Sequence, residues 1–287
     1  MCIRDSVKLA YLIQALPANV RDQIHCAVDT HDVLHLRMKQ FQESGHDHWL
    51  NITRDQEAQA IALFDTVIAI QPREAESFRQ LCPETKVIVC GHSGEPFPQL
   101  KTTAHESKKL RIGYLASKNA ANESGLKNLL QLSTRLGNEF QWVIGGSVCD
   151  NFEVHSRGIE GIALENINVI GHVDTLAEFY DQIDVAMNLV QFGTGLKIKN
   201  VEALSHGKPL LTTRHGLEGM MDVESDGIFA SDTDEQIGEH LKRLAGDRDL
   251  LAELQTKAYQ FATSEYSDVR AYNEFQCCIN ATSGPSH

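Results

Sequence analysis

The sequence lacks the features that mark several classes of protein. It contains no apolar run of membrane-spanning length and no signal-peptide pattern. Basic residues are in the minority, with 26 Lys and Arg against 39 Asp and Glu and a net charge of -13, so no nucleic-acid partner is expected. The seven cysteines are odd in number and include no C-x-x-C pair, which argues against a zinc ribbon or a disulfide framework. These absences predict a soluble, cytoplasmic protein with free thiols.

Short apolar segments alternate with helical patterns along the whole chain. The first part predicts strands at 23–28, 66–70 and 86–90, with helices at 54–64 and 73–81. The second part predicts strands at 110–116, 140–144, 167–173, 185–190, 210–213 and 228–230. Helices are predicted between these strands and at 247–264 and 267–277. Such alternation indicates an α/β fold with parallel sheets and helices on both faces, and 287 residues leave room for two modest domains.

The segment 192–220 carries the clearest pattern of the sequence. A glycine-flanked turn, Gly193-Thr194-Gly195, follows an apolar run and precedes a helical pattern that Gly207 ends. The backbone N–H groups at the start of such a helix, around Gly195 and Leu196, can hold an anion. The segment therefore predicts a β-α-β unit with an anion site at its turn.

Lys199 and Glu202 lie three residues apart and share one face of this helix. The cation would suit a diphosphate, and the carboxylate would accept hydrogen bonds from ribose hydroxyls. The alternative is an exposed salt bridge between the two side chains. Their spacing alone does not decide between these interpretations.

The same segment resembles the donor-binding signature of family-four glycosyltransferases of the GT-B fold, the glycosyl transferases group 1. The resemblance rests on the pattern G-x-G-x-x-x-K-x-x-E-A followed by G-x-P, which is matched by Gly193, Gly195, Lys199, Glu202, Ala203, Gly207 and Pro209. One departure is that Thr194 replaces the first of the two glutamates usual in the family. The resemblance implies two Rossmann-like domains and retaining transfer of a sugar from a nucleotide-diphosphate sugar. It also implies that the reaction needs no metal and no cofactor.

Further donor-binding residues follow from the resemblance. Ser117 and Asn122 match the turn after the first strand of the second domain, although Ala116 replaces the usual glycine there. Gly145 ends the next strand, where either a ligand or a plain tight turn would explain it. The complete set of expected donor-binding residues is Gly193, Thr194, Gly195, Leu196, Lys199, Glu202, Ser117, Asn122, Gly145, Gly171, His172 and Val173, of which the last three would contact the base.

His31 is the expected catalytic residue. It lies in the run Asp29-Thr30-His31-Asp32 at the end of a predicted strand, where α/β folds bind ligands. The resemblance implies that His31 lines the cleft near the donor sugar. The alternative is that Asp29, Thr30 or Asp32 only caps a following helix. Five histidines lie between residues 25 and 48, but their spacing matches no metal-binding motif, so no metal site is expected.

The expected domain organisation follows the family. Residues 1–107 would form an incomplete acceptor-side domain that ends in a linker from residue 91, and 108–265 the nucleotide-sugar domain. A helix in 266–287 would cross back to the first domain. The opening strand and glycine-rich turn of the family are not found, and residues 1–6 resemble a non-native leader, so the N-terminal domain is expected to lack its start. The protein as given is then expected to be weak or inactive.

The partners expected from the resemblance are a nucleotide sugar and an unidentified acceptor. The acceptor would be a glycan, a lipid-linked compound or a small molecule, and peripheral membrane association is compatible with it. Two alternatives stay open, namely a sugar-nucleotide epimerase of the same fold and a non-catalytic nucleotide-sugar-binding fragment. The epimerase would need a second pair of carboxylates in the cleft, and the binding fragment would not consume the donor.

Overall fold

A computed structural model describes residues 10–48, 50–102, 108–220 and 227–282. The predicted leader at 1–6, Cys2 and the end of the predicted linker lie outside the described residues. The described residues form two compact units. The first contains the residues up to Ser93, the loop Gly193–Leu196 and the residues from Ser267 onwards; the second contains Gly94–Phe192 and Lys197–Tyr266.

The first unit is built on a three-stranded parallel sheet. Its strands, in the spatial order β1-β2-β3, are β1 (Ala27–Thr30), β2 (Thr66–Ala69) and β3 (Lys86–Val89). The central strand β2 is buried at every position, as expected for an apolar strand covered on both faces. The strand predicted at 23–28 begins only at Ala27, because Asp65 holds the residue before it, Cys26. The carboxylate of Asp65 accepts from the backbone N–H of Cys26 at 2.7 Å and from Arg21 at 3.0 Å.

In the described part of the first unit, five α-helices precede or connect these strands. They are α1 (Ala10–Gln14), α2 (Ala18–Arg21), α3 (Leu34–Glu43), α4 (Arg54–Ile61) and α5 (Pro72–Leu81). Thr53 and Gln56 form a capping box at the start of α4. The start of α3 is capped from a distance, since the fully buried carboxylate of Glu57 accepts from the N–H groups of Leu34 (2.8 Å) and His35 (2.9 Å). None of Asp29, Thr30 and Asp32 therefore caps this helix, and the capping part of the alternative interpretation is wrong.

The second unit is built on a six-stranded parallel sheet in the order β6-β5-β4-β7-β8-β9. The strands are β4 (Leu110–Leu115), β5 (Phe140–Gly145), β6 (Ile167–Gly171), β7 (Val185–Asn188), β8 (Leu210–Thr212) and β9 (Ile228–Ala230). The strand order reverses between β4 and β7. In open α/β sheets the carboxyl ends of strands at such a reversal form the usual ligand site.

Within the described residues, seven α-helices accompany this sheet. They are α6 (Ala120–Leu136), α7 (Phe152–Ser156), α8 (Leu176–Tyr180), α9 (Ile198–Ser205), α10 (Arg214–Leu217), α11 (Asp234–Gly246) and α12 (Arg248–Glu265). Side chains cap five of them, because the oxygens of Asn119, Thr175, Thr213, Thr233 and Asp247 accept from the first turns of α6, α8, α10, α11 and α12.

The core of the second unit packs the strands against α6 and α11. Ile112, Leu126, Trp142 and Leu241 are among its fully buried side chains. One ion pair reaches into this interior. The buried carboxylate of Asp184 accepts from the backbone N–H of Arg111 at 2.9 Å and from its guanidinium at 2.7 Å.

The C-terminal segment belongs to the first unit. It forms α13 (Asp268–Ala271) and α14 (Asn273–Thr282), whereas a single helix was expected over 267–277. The interruption arises because the carbonyl of Ala271 accepts from the N–H of Gly91 at 3.0 Å and does not continue the helical pattern. Glu274 of α14 accepts from the N–H of Val89 at the end of β3, at 2.7 Å. Within the part of the chain that the structure describes, no helix has the length and apolar composition needed to cross a bilayer.

Candidate functional site

Lys199 occupies the first turn of α9, next to the reversal of strand order. Its ammonium donates to Oδ1 of Asn122 at 2.6 Å and lies 5.2 Å from the centre of the Tyr114 ring. Asn122 belongs to the first turn of α6, which follows β4. The fold thus brings two residues 77 positions apart together at the carboxyl ends of β4 and β7.

The side chain of Asn122 is held from several sides. Its Nδ2 donates to the carbonyl of Ser117 at 2.8 Å, and its backbone N–H donates to Oδ1 of Asn119 at 3.0 Å. Its own carbonyl accepts from the hydroxyl of Tyr114 at 2.7 Å. These bonds leave Oδ1 for Lys199, so Ser117, Asn122 and Lys199 form one polar cluster, called the lysine cluster below.

The charges on α9 do not form the exposed salt bridge of the alternative interpretation. Lys199 and Glu202 are both half-buried, and among the ion pairs of the described residues none joins them. Burial, and next the charge of Lys197, lower the pKa of Lys199 to about 7. Burial raises the pKa of Glu202, and the charge of Lys199 opposes this shift. A lysine with a pKa of about 7 is partly deprotonated at neutral pH, and an anion bound beside it favours the protonated, charged form.

Tyr180 and His206, which the sequence analysis did not select, contact the backbone of α9. The hydroxyl of Tyr180 donates to the carbonyl of Lys199 at 3.3 Å, and its ring stacks on His206 at 4.5 Å between centres. Nδ1 of His206 contacts the carbonyl of Glu202 at 2.8 Å. Tyr180 had no distinguishing signal, because an aromatic residue on the apolar face of a helix indicates only core packing.

The predicted base-binding residues lie at the end of β6, and the predicted donor-binding residue Gly145 ends β5. His172 is exposed, and its Nε2 lies 3.4 Å from a carboxylate oxygen of Asp174. Val173 is half-buried, and Gly171 has open space around its α-carbon. A Cβ on Gly145 would lie 2.8 Å from the ring of Phe179, so the packing of α8 accounts for that glycine. The space beside Gly171 is therefore open, whereas the ring of Phe179 occupies the space beside Gly145.

The loop Gly193–Leu196 lies with His31 in the first unit. The hydroxyl of Thr194 donates to Asp32 at 2.8 Å, and the N–H of Gly193 donates to the side-chain oxygen of Gln40 at 2.9 Å. Gly195 has φ +84°, and a Cβ there would lie 2.9 Å from the carbonyl oxygen of His31. Close approach and backbone conformation both require glycine at this position.

His31 itself has an unusual environment. Its Nε2 is buried and has no hydrogen-bond partner among the described residues, and the nearest carboxylate oxygen, on Asp29, is 3.6 Å away. Asp32 also pairs with Arg37. The roles of Asp32 and Gln40 in holding the loop were missed, although the adjacent His-Asp pair was a visible signal for Asp32. Across the described ranges, no three His, Cys, Asp or Glu side chains are grouped so as to hold a metal ion.

Comparison with known families agrees with this architecture. Residues 109–247 match the family described as Glycosyl transferases group 1. This match covers just under half of the chain, and over these residues it confirms the predicted resemblance to that family. A search of the curated proteins finds no match.

Solved structures support the fold. A mutant of TarM from S. aureus, in complex with fondaparinux, alpha-GlcNAc-glycerol and UDP, is 14% identical with a TM-score of 0.69, covering 88% of this chain and 50% of that one. HepE from Anabaena, with UDP and glucose, is 12% identical with a TM-score of 0.74, covering 96% and 76%. Sucrose-phosphate synthase from Thermosynechococcus elongatus is 13% identical with a TM-score of 0.69, covering 93% and 71%. The fold is thus GT-B with Rossmann-like domains, as predicted, and the chain spans about half the length of the TarM chain.

Proposed function

We propose that this chain binds a nucleotide-diphosphate sugar through its second unit and takes part in transferring the sugar, with retention, to an acceptor hydroxyl. The observation that carries the proposal is the lysine cluster at the reversal of strand order, where Lys199 lies 2.6 Å from Asn122. The family match over residues 109–247 supports it. UDP in the HepE and TarM structures makes UDP the natural first ligand to test.

Lys199 would hold the diphosphate. Negative charge develops on this group as the glycosidic bond to it breaks, and a fixed cation stabilises that charge. Asn122 contributes a neutral acceptor, which orients the ammonium without neutralising it. The remaining N–H groups of Lys199 are then available to phosphate oxygens. This cation would take the place of a metal ion.

The other predicted residues have complementary roles in the proposal. Glu202 accepts hydrogen bonds from the ribose, and Gly171, His172 and Val173 flank the base. His31 faces the sugar and influences turnover. The acceptor is a hydroxyl of a glycan, a lipid-linked compound or a small molecule.

Calorimetric titration with UDP, in the presence of a chelator, tests the proposal. Charge-assisted hydrogen bonds contribute about 1.5–3 kcal/mol, so Lys199→Met should weaken UDP binding roughly 10- to 150-fold. Lys242→Met on α11 removes an exposed lysine and serves as the matched control. Equal affinities for wild type and Lys199→Met, or a requirement for metal, would contradict the proposal.

A further inference from the structure

Two side chains of the second unit bond to the backbone of the residues of α9 that the proposed function gives to the donor. The hydroxyl of Tyr180 donates to the carbonyl of Lys199 at 3.3 Å. Nδ1 of His206 lies 2.8 Å from the carbonyl of Glu202. A carbonyl oxygen can only accept, so this Nδ1 carries a proton and donates it. Lys199 and Glu202 therefore each receive one side-chain hydrogen bond on their carbonyl.

The two rings also hold one another. Tyr180 stacks on His206 with 4.5 Å between the ring centres and 26° between the ring planes. Tyr180 is almost completely buried, as is its neighbour Phe179. Burial raises the pKa of Tyr180 and lowers the pKa of His206, so near pH 7 the hydroxyl keeps its proton and the imidazole is mostly uncharged. Both donors are therefore fixed in position and in protonation state.

The first turn of α9 lacks the usual local cap. Lys197 precedes the helix, and its side chain makes no capping hydrogen bond. A helix usually gains such a bond from the residue before its first turn, and the bond stabilises that turn. Tyr180 holds this turn from α8 instead, at the residue whose ammonium contacts Asn122. The position of the ammonium thus depends in part on a hydrogen bond from another helix.

We propose that Tyr180 and His206 are positioning residues of the donor site, Tyr180 for Lys199 and His206 for Glu202. The inference rests on the proposed function, because it gives the pair an effect on diphosphate and ribose binding that is transmitted through α9. A charged group stabilises its ligand most when its position is fixed before the ligand binds. The alternative is that the two rings only fill the space between α8 and α9, in which case their polar atoms would not influence UDP affinity.

Calorimetric titration of the whole chain with UDP tests this inference through two double-mutant cycles. Tyr180→Phe keeps the stacked ring and removes only the hydroxyl, so it should weaken UDP binding roughly two- to tenfold, the effect of one hydrogen bond. The same change in Lys199→Met should have no further effect, because the ammonium that it positions is already absent. His206→Phe also keeps an aromatic ring, and it should behave in the same way when it is combined with Glu202→Ala.

Tyr259→Phe is the matched control, because the hydroxyl of this α12 residue makes no hydrogen bond in the described part of the chain. It should leave UDP affinity unaltered, and urea denaturation shows whether every variant is folded. Unchanged affinity in a single variant, or a loss that persists in its double variant, overturns the inference for that residue even where Lys199→Met weakens binding. If the wild type does not bind UDP, or binds it no better than Lys199→Met, the proposed function fails and this inference fails with it.

Discussion

The side-chain amide of Asn188 donates to that of Asn200 across 2.8 Å, which joins the end of β7 to the first turn of α9. Both residues are almost completely buried, and Asn200 also donates to the carbonyl of Gly216 at 2.8 Å. Buried amides with fixed partners have few alternative orientations. Because Asn200 directly follows Lys199, the backbone that carries the ammonium is fixed independently of the ammonium's own bond to Asn122.

The low pKa of Lys199 predicts proton uptake on binding. In the free folded protein, Lys199 loses its proton as the pH rises through about 7, and a bound diphosphate favours the charged form. At pH 8, UDP binding should therefore take up protons, and the affinity should fall as the pH rises above 7. Calorimetry in two buffers with different heats of ionisation measures this uptake.

Lys199→Met provides the comparison for that measurement. The variant should take up fewer protons than wild type at pH 8, whereas identical uptake would exclude Lys199 as the titrating group. The same pKa shift affects folding. Between pH 7 and the ordinary lysine value of 10.5, the unfolded chain binds more protons at this residue, so its contribution makes the folded state more stable as the pH rises.

Gly125→Ala should disturb the lysine cluster through packing. A Cβ at Gly125 would lie 2.5 Å from the hydroxyl oxygen of Tyr114, the group that donates to the carbonyl of Asn122. We expect a loss of about 1–3 kcal/mol in the free energy of unfolding, together with weaker UDP binding. Gly246→Ala is the matched control, because a Cβ there meets nothing within 4 Å. Urea denaturation of both variants would refute the prediction if the two free energies were equal.

Arg111→Met should destabilise the second unit. The change removes the cation from the fully buried carboxylate of Asp184 and leaves that charge with backbone donors only. Removing one partner of a buried pair typically costs about 3–5 kcal/mol. Arg157→Met breaks an exposed pair with Glu153 and should change the free energy of unfolding by no more than about 0.5 kcal/mol. Similar urea midpoints for the two variants would argue that the Asp184 charge is not stabilised by Arg111.

Local patterns in the sequence predicted the strands well, except the first, which was expected at 23–28 and is observed at Ala27–Thr30. The reason is that apolar runs, glycine turns and the residue types at helix ends act over a few residues. The strand at 66–70 and the helix at 73–81 differ from the observed β2 and α5 by one residue at most. Family resemblance extended this to the GT-B fold, which periodicity alone does not specify.

Long-range partners could not be predicted in the same way. Lys199 and Asn122 were each selected for a ligand, yet nothing in the sequence indicated that they contact one another. Glu57 was not singled out, although its carboxylate caps α3 from 23 residues away. Such contacts depend on how separate elements pack, and a helical or strand pattern carries no information about the partner.

The position of α14 has a consequence for the order in which the protein folds during synthesis. The second unit comes from one stretch that ends at Tyr266 and is interrupted only by the loop Gly193–Leu196, so its synthesis is finished before the segment from Ser267 onwards is made. The first unit begins earlier in the sequence, but its last segment is synthesised after the second unit. Its β3 gains the carboxylate of Glu274, and Ile68 and Ile88 gain the cover of Cys278, only when the last segment emerges. The domain that starts first is therefore completed last, and until then one face of its nascent sheet stays open to chaperones.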